Sequence, residues 1–111
     1  MESLSTNDYS SQIVKDADTN PAVLKIYNTG RLVTLEYVGG TLTHVMNEIL
    51  FTIPTACRPE AGFYIFANVN SNVTGYGASV NIRQDGKVAA QPQNTSIAHR
   101  LCFAVTYVSA S

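Results

Sequence analysis

The chain has 111 residues, the size of one domain, and can bury roughly two thirds of its unfolded surface without help from disulfides or a metal. Hydrophobic residues make up 45% and charged residues only 14%, against about 25% charged in ordinary domains; either the surface is neutral and rich in Asn, Ser and Thr, or other subunits cover part of it. A net charge of −1, with the basic residues scattered, leaves no basic patch and argues against nucleic-acid binding.

The first twenty residues hold six Ser/Thr and little periodic apolar content. They read as a lead-in or linker (1–20), ordered only if a neighbour pins them. Met1–Ser11 lacks the basic start and apolar stretch of a secretion signal, and no apolar run is long enough to insert in a membrane. Asn20-Pro21 opens the structured part (21–111), because a residue before proline prefers extended geometry.

From there the apolar period is two. Val23–Tyr27 and Leu32–Val38 read as strands joined at Asn28-Thr29-Gly30, a hairpin in which Gly30 takes the left-handed conformation. Val33, Leu35 and Tyr37 share one face, opposite Thr34 and Glu36. Thr41–Leu50 is ambiguous, since Leu42, Val45, Met46 and Ile49 fall at helical spacing while Ile49, Phe51 and Ile53 alternate; a loop or one helical turn, then a strand from about Asn47, fits best. Phe63–Asn70 is a strand with Phe63, Ile65, Ala67 and Val69 on one face and Tyr64, Phe66, Asn68 and Asn70 on the other. A loop follows at 70–75. Ala78, Val80 and Ile82 mark a half-buried strand, turned by Asp85-Gly86, the strongest short hairpin signal. Ile97–Val108 carries apolar residues on both faces, as a central strand does. Short strands without a long helix predict an all-β, antiparallel β-sandwich or jelly-roll-like domain.

Reactive groups are few. His44 and His99 have no partner at metal-ligand spacing, and Asp16 and Asp18 lack the rest of a calcium loop. Cys57 and Cys102 make no CxxC motif; two such thiols pack as small apolar groups or pair with each other. With no nucleophile elbow, phosphate loop or paired carboxylates, the sequence predicts neither an enzyme nor a cofactor or metal site. What remains is an inventory for binding. Tyr64, Asn68, Asn70, Asn72 and Tyr76 place rings and amides about one strand-to-loop corner, a chemistry that suits saccharides; the alternative is that Tyr64 packs on a neighbouring strand and the asparagines make turns. His99 and Arg100 are available for charge-assisted hydrogen bonds, while a salt bridge from Arg100 to Glu60 or Asp85 is equally open.

Four segments in order carry a resemblance: Gly30-Arg31-Leu32-Val33-Thr34-Leu35, Ile53-Pro54-Thr55-Ala56-Cys57-Arg58-Pro59, Ile82-Arg83-Gln84-Asp85-Gly86-Lys87-Val88 and the closing Thr106-Tyr107. Together, over about residues 23–108, they resemble the C-terminal head domains of bacteriophage tail fibres and baseplate receptor-binding proteins. The chain departs from the pattern in having Cys57 where an aromatic often precedes Arg-Pro, and in lacking the usual shaft, so it is expected to be an excised head or a short protein. The resemblance implies a homotrimer of β-sandwiches in the virion, at the tail tip or baseplate, assembled in the bacterial cytoplasm beside other phage tail or baseplate proteins. It implies non-covalent binding of a host-cell-surface glycan near subunit boundaries; a structural baseplate or fibre-tip module that reads no receptor is the alternative. Gly30, Pro54, Arg58, Pro59, Asp85, Gly86 and Tyr107 are then structural motif positions. Pro54 and Pro59 cannot donate to a ladder and so bracket a strand crossing, within which Arg58 needs a partner.

Overall fold

A computed structural model describes residues 5–70, 77–96 and 98–110. Among these there are ten β-strands: β1 (Thr6–Asp8), β2 (Val14–Lys15), β3 (Val23–Thr29), β4 (Leu32–Val38), β5 (Leu42–Thr43), β6 (Glu48–Thr52), β7 (Phe63–Asn70), β8 (Ala78–Ile82), β9 (Lys87–Pro92) and β10 (Ala98–Val108). Two single 3-10 turns lie at Ser10–Gln12 and Thr55–Cys57. Every pairing is antiparallel, as the period-two reading predicts. The strands run in the order β1-β3-β4-β10-β7-β8-β9-β6-β2, with β5 beside β10, and the sheet curls into a half-barrel.

The two facing layers are therefore halves of one sheet. Strand β7 joins them, pairing through Phe63–Ala67 with β8 and through Asn68–Asn70 with β10. Side chains that alternate inward from both halves fill the interior: Ile26, Val33, Leu35, Leu101 and Phe103 from one, Leu50, Phe51, Val80, Ile82 and Val88 from the other. Tyr37 crosses between them, its ring centroid 5.2 Å from that of Phe51 and 5.5 Å from that of Phe103. As the sequence predicts, β10 is central, with β4 on one side and β7 on the other, and β7 packs Phe63, Ile65, Ala67 and Val69 against the core.

The lead-in is pinned rather than free. Strand β1 adds to β3 and β2 adds to β6, so residues 6–15 strap the two edges of the curled sheet. Tyr9 N–H donates to the Ile26 carbonyl at 3.0 Å, and Ile26 N–H to the Ser10 hydroxyl, also at 3.0 Å. Ile13 then drops into the core. Asp18 is buried as an anchor: its carboxylate accepts the Tyr37 hydroxyl at 2.6 Å and Gly40 N–H at 2.9 Å. Burial, and secondarily this carboxylate, push the Tyr37 phenol well above its ordinary range. Such strands escape a reading by hydrophobic period because their pairing is decided by the free edges of β3 and β6, not by their own side chains.

The ambiguous stretch resolves into strand β5, a turn, and β6. Asn47 makes that turn at φ 61°, a conformation asparagine tolerates better than most residues.

Candidate functional site

The four resembling segments meet at one pole of the domain. Gly30 turns the β3–β4 hairpin at φ 62°, as expected. Asn28, at the end of β3, donates from Nδ2 to the Ala56 carbonyl at 3.1 Å. Pro54 and Pro59 flank the 3-10 turn, and Pro59 bridges to Ser109. Ile53 N–H donates to the Gly86 carbonyl at 2.8 Å. Asp85 caps its hairpin by accepting Lys87 N–H at 3.1 Å, and Gly86 follows at φ 89° with the Arg58 side chain laid across it, so that a Cβ there would meet Arg58 Nε at 3.1 Å. Tyr107 donates its buried hydroxyl to the Cys57 carbonyl at 2.6 Å. Burial drives the Tyr107 phenol upward and lifts the Cys57 thiol to about 11. Both cysteines are free thiols.

These positions carry backbone geometry and packing, and Arg58 finds a place over Gly86. Arg31, beside them, donates twice to the Ser109 carbonyl (2.7 and 3.2 Å) and lies 3.8 Å from Glu60. Glu60 and Asp85 thus sit at the pole of the β3–β4 turn, whereas Arg100 pairs with Asn70 toward the other; Glu60 is engaged by Arg31 instead.

The predicted binding residues separate along β7: Tyr64 pairs with Asn81 near the motif-pole hairpin, whereas Asn70 lies at the far end, opposite Arg100. Tyr64 and Asn68 lie on the outward face of β7 and are exposed, Tyr64 to 63%. Asn72 and Tyr76 lie outside the described residues. His99 is 3% exposed, its ring 5.0 Å from that of fully buried His44. His44 Nδ1 in turn stands 3.0 Å from Glu48 Oε1. The His99 imidazole therefore belongs to an interior ring pair, which links the turn after β5 to β10, and it does not reach the surface beside Tyr64. No group of three metal-ligating side chains forms among the described residues, and among them no helix is long and apolar enough to cross a membrane.

The clearest surface feature lies between two of the expected residues, Tyr64 and Asn68. Phe66 is 92% exposed, the most exposed large hydrophobic side chain among the described residues. It borders an open cleft of about 140 Å³ with Gly77, Ala78, Ser79, Gln91 and Gln93. Register places it there: Phe66 pairs with Ser79, and Ser79 with Gln91. The polar wall is organised in advance. Gln93 Oε1 accepts Gly77 N–H at 2.8 Å, Ser79 Oγ donates to Gln91 Oε1 at 3.2 Å, and Gln91 Nε2 donates to Asn47 Oδ1 at 3.1 Å. The sequence does mark Phe66 as sharing the face of Tyr64, but only the β7–β8–β9 register brings Ser79 and Gln91 beside it. No family model matches the chain, and no curated protein is significantly similar to it.

Proposed function

We propose that the domain is a phage tail receptor-binding head that grips a host-cell-surface saccharide without covalent chemistry and works as a homotrimer. The observation that carries this reading is the outward face of β7, where Tyr64 and Phe66 stand exposed, while the other aromatic rings among the described residues are at least partly buried. Leaving a phenylalanine in water forgoes about 1.5–3 kcal/mol of burial, and a ligand or a neighbouring subunit recovers it. Two further features are consistent with an adhesive head. The described chain ends lie at the motif pole, Thr6 opposite Thr29 and Ser109 N–H on the Arg31 carbonyl, while the cleft opens toward the other pole; a copy held by its ends presents the cleft outward. The outer side of β10 offers Cys102, Ala104, Thr106 and Val108 beside the exposed Leu32, with the opposite charges of Glu36, across from Ala104, and Lys25, across from Glu36, a largely apolar face that suits contact with another copy. Many such heads on one particle turn weak single sites into tight adhesion.

The structural-module reading keeps one observation of its own: the four shared segments all serve a single packed corner, which a fibre-tip piece needs as much as an adhesin does. Light scattering on the purified domain, together with sedimentation with isolated bacterial cell walls, separates the readings. The adhesive head gives a trimer that pellets with walls of its host. A trimer that ignores a broad panel of walls supports the structural module, and a strict monomer at micromolar concentration overturns the homotrimer.

A further inference from the structure

We infer that the Phe66 cleft is a subsite for a single uncharged sugar ring. This rests on the adhesive reading above for its biological meaning, but it stands on its own chemistry. The floor is an exposed aromatic face, and the walls are two carboxamides and a hydroxyl. None of the lining side chains ionises, so an acidic or phosphorylated ring would give up hydration with no opposite charge to meet it. The room, about 140 Å³, falls below the roughly 300–1,000 Å³ of sites for larger ligands and suits one ring.

The polar groups match hydroxyls, which both donate and accept. Ser79 spends its proton on Gln91 Oε1, which leaves the Ser79 oxygen as an acceptor. Gln93 accepts from Gly77 through its carbonyl oxygen, and its NH₂ has no partner among the described residues, so it remains as a donor. Gln91 is held at both ends, by Ser79 and by Asn47, and so pays little ordering entropy when a ligand arrives. A proline ring would stack on Phe66 equally well but would leave these groups unmatched. A nucleotide would stack too, yet its phosphate finds no cation in the lining. A pyranose uses both parts of the cleft, with its CH face on the ring and its hydroxyls on the wall.

The test is a titration of the ¹⁵N-labelled protein, followed by amide NMR. Glucose, galactose, rhamnose and N-acetylglucosamine form the neutral set; glucuronic acid and glucose 6-phosphate form the charged set. At least one neutral sugar is expected to bind in the millimolar range and to shift Gly77, Ser79 and the side-chain amides of Gln91 and Gln93. Phe66→Ala is expected to weaken that binding about tenfold or more, whereas Val14→Ala, at an exposed position on β2 outside the cleft, leaves it unchanged. Failure of every neutral sugar, equal or tighter binding of the charged set, or indifference to Phe66→Ala overturns the assignment. Wall sedimentation with the same variants keeps the two proposals apart. Walls that bind Phe66→Ala as well as the parent sink the cleft and spare the adhesin; a sugar seated in the cleft of a protein that ignores every wall does the reverse.

Discussion

Replacing Gly86 by alanine tests whether the motif pole is a packing device. Two costs add. At φ 89° a residue with a Cβ occupies the left-handed region, at about 1–2 kcal/mol. The added carbon would also lie 2.7 Å from the Ile53 carbonyl oxygen, a backbone atom that cannot swing away alone. Relief has to move Ile53, whose N–H donates to Gly86 at 2.8 Å, and so forfeits about 1 kcal/mol of hydrogen bonding. The expected loss is about 2–3 kcal/mol, or about 10–20 °C in Tm for a domain near this size. The chain has no tryptophan but six tyrosines, so urea unfolding is followed by tyrosine fluorescence and far-ultraviolet circular dichroism. Gly86→Asn separates the costs, because asparagine tolerates the left-handed region while keeping the Cβ; it is expected to recover no more than about 1 kcal/mol. A Gly86→Ala protein within about 0.5 kcal/mol of the parent would refute the close approach of the hairpin to Ile53 and Arg58.

Tyr37→Phe is expected to cost about 1–3 kcal/mol, since it removes a buried donor from Asp18, and its urea midpoint measures the loss; an unchanged midpoint would mean that Asp18 is hydrated. The two thiols are expected to behave differently at neutral pH: Cys102, partly exposed, reacts with a disulfide reagent in the folded protein, and fully buried Cys57 reacts only after denaturant is added. Cys57 also sets an alkaline limit. Its folded value of about 11 lies above the ordinary 9.0, so the folded state holds the proton more tightly, and the associated stability is intact below pH 9 and lost as pH rises toward 11. The upward shifts of Tyr37 and Tyr107 act in the same direction. Thermal unfolding between pH 7 and 11 is expected to show a Tm that is flat to about 9 and then falls; a Tm still level at pH 11 would contradict the buried, unpaired thiol.

Local chemistry in the chain makes much of this fold legible. The alternation of Val33, Leu35 and Tyr37, the two-faced strand Phe63–Asn70 and the Asp85-Gly86 turn each carry their structure within a few residues, because the pleat has a period of two and a left-handed turn selects glycine. Strands β1 and β2 do not, since Thr6-Asn7-Asp8 has no apolar face to declare and pairs only because β3 leaves an edge open. Among the candidate binding residues, Tyr64 and Asn68 are exposed as the alternation requires. His99 is drawn inside by a partner 55 positions away, His44. The cleft needed three strands in register before Phe66, Ser79 and Gln91 met, and a single strand's pattern holds no trace of that.

A central strand of the sheet, β10, comes after all the other described strands in chain order. Thr34 lies opposite Thr106, so on a ribosome the β3–β4 hairpin and the β7–β8–β9 meander emerge first, each with an apolar face and neither able to cover the other. Closure waits for β10, across a loop of roughly seventy residues whose ordering entropy is met before any contact offsets it. The domain is therefore expected to close only once β10 has emerged, and to be most exposed to misassembly before then.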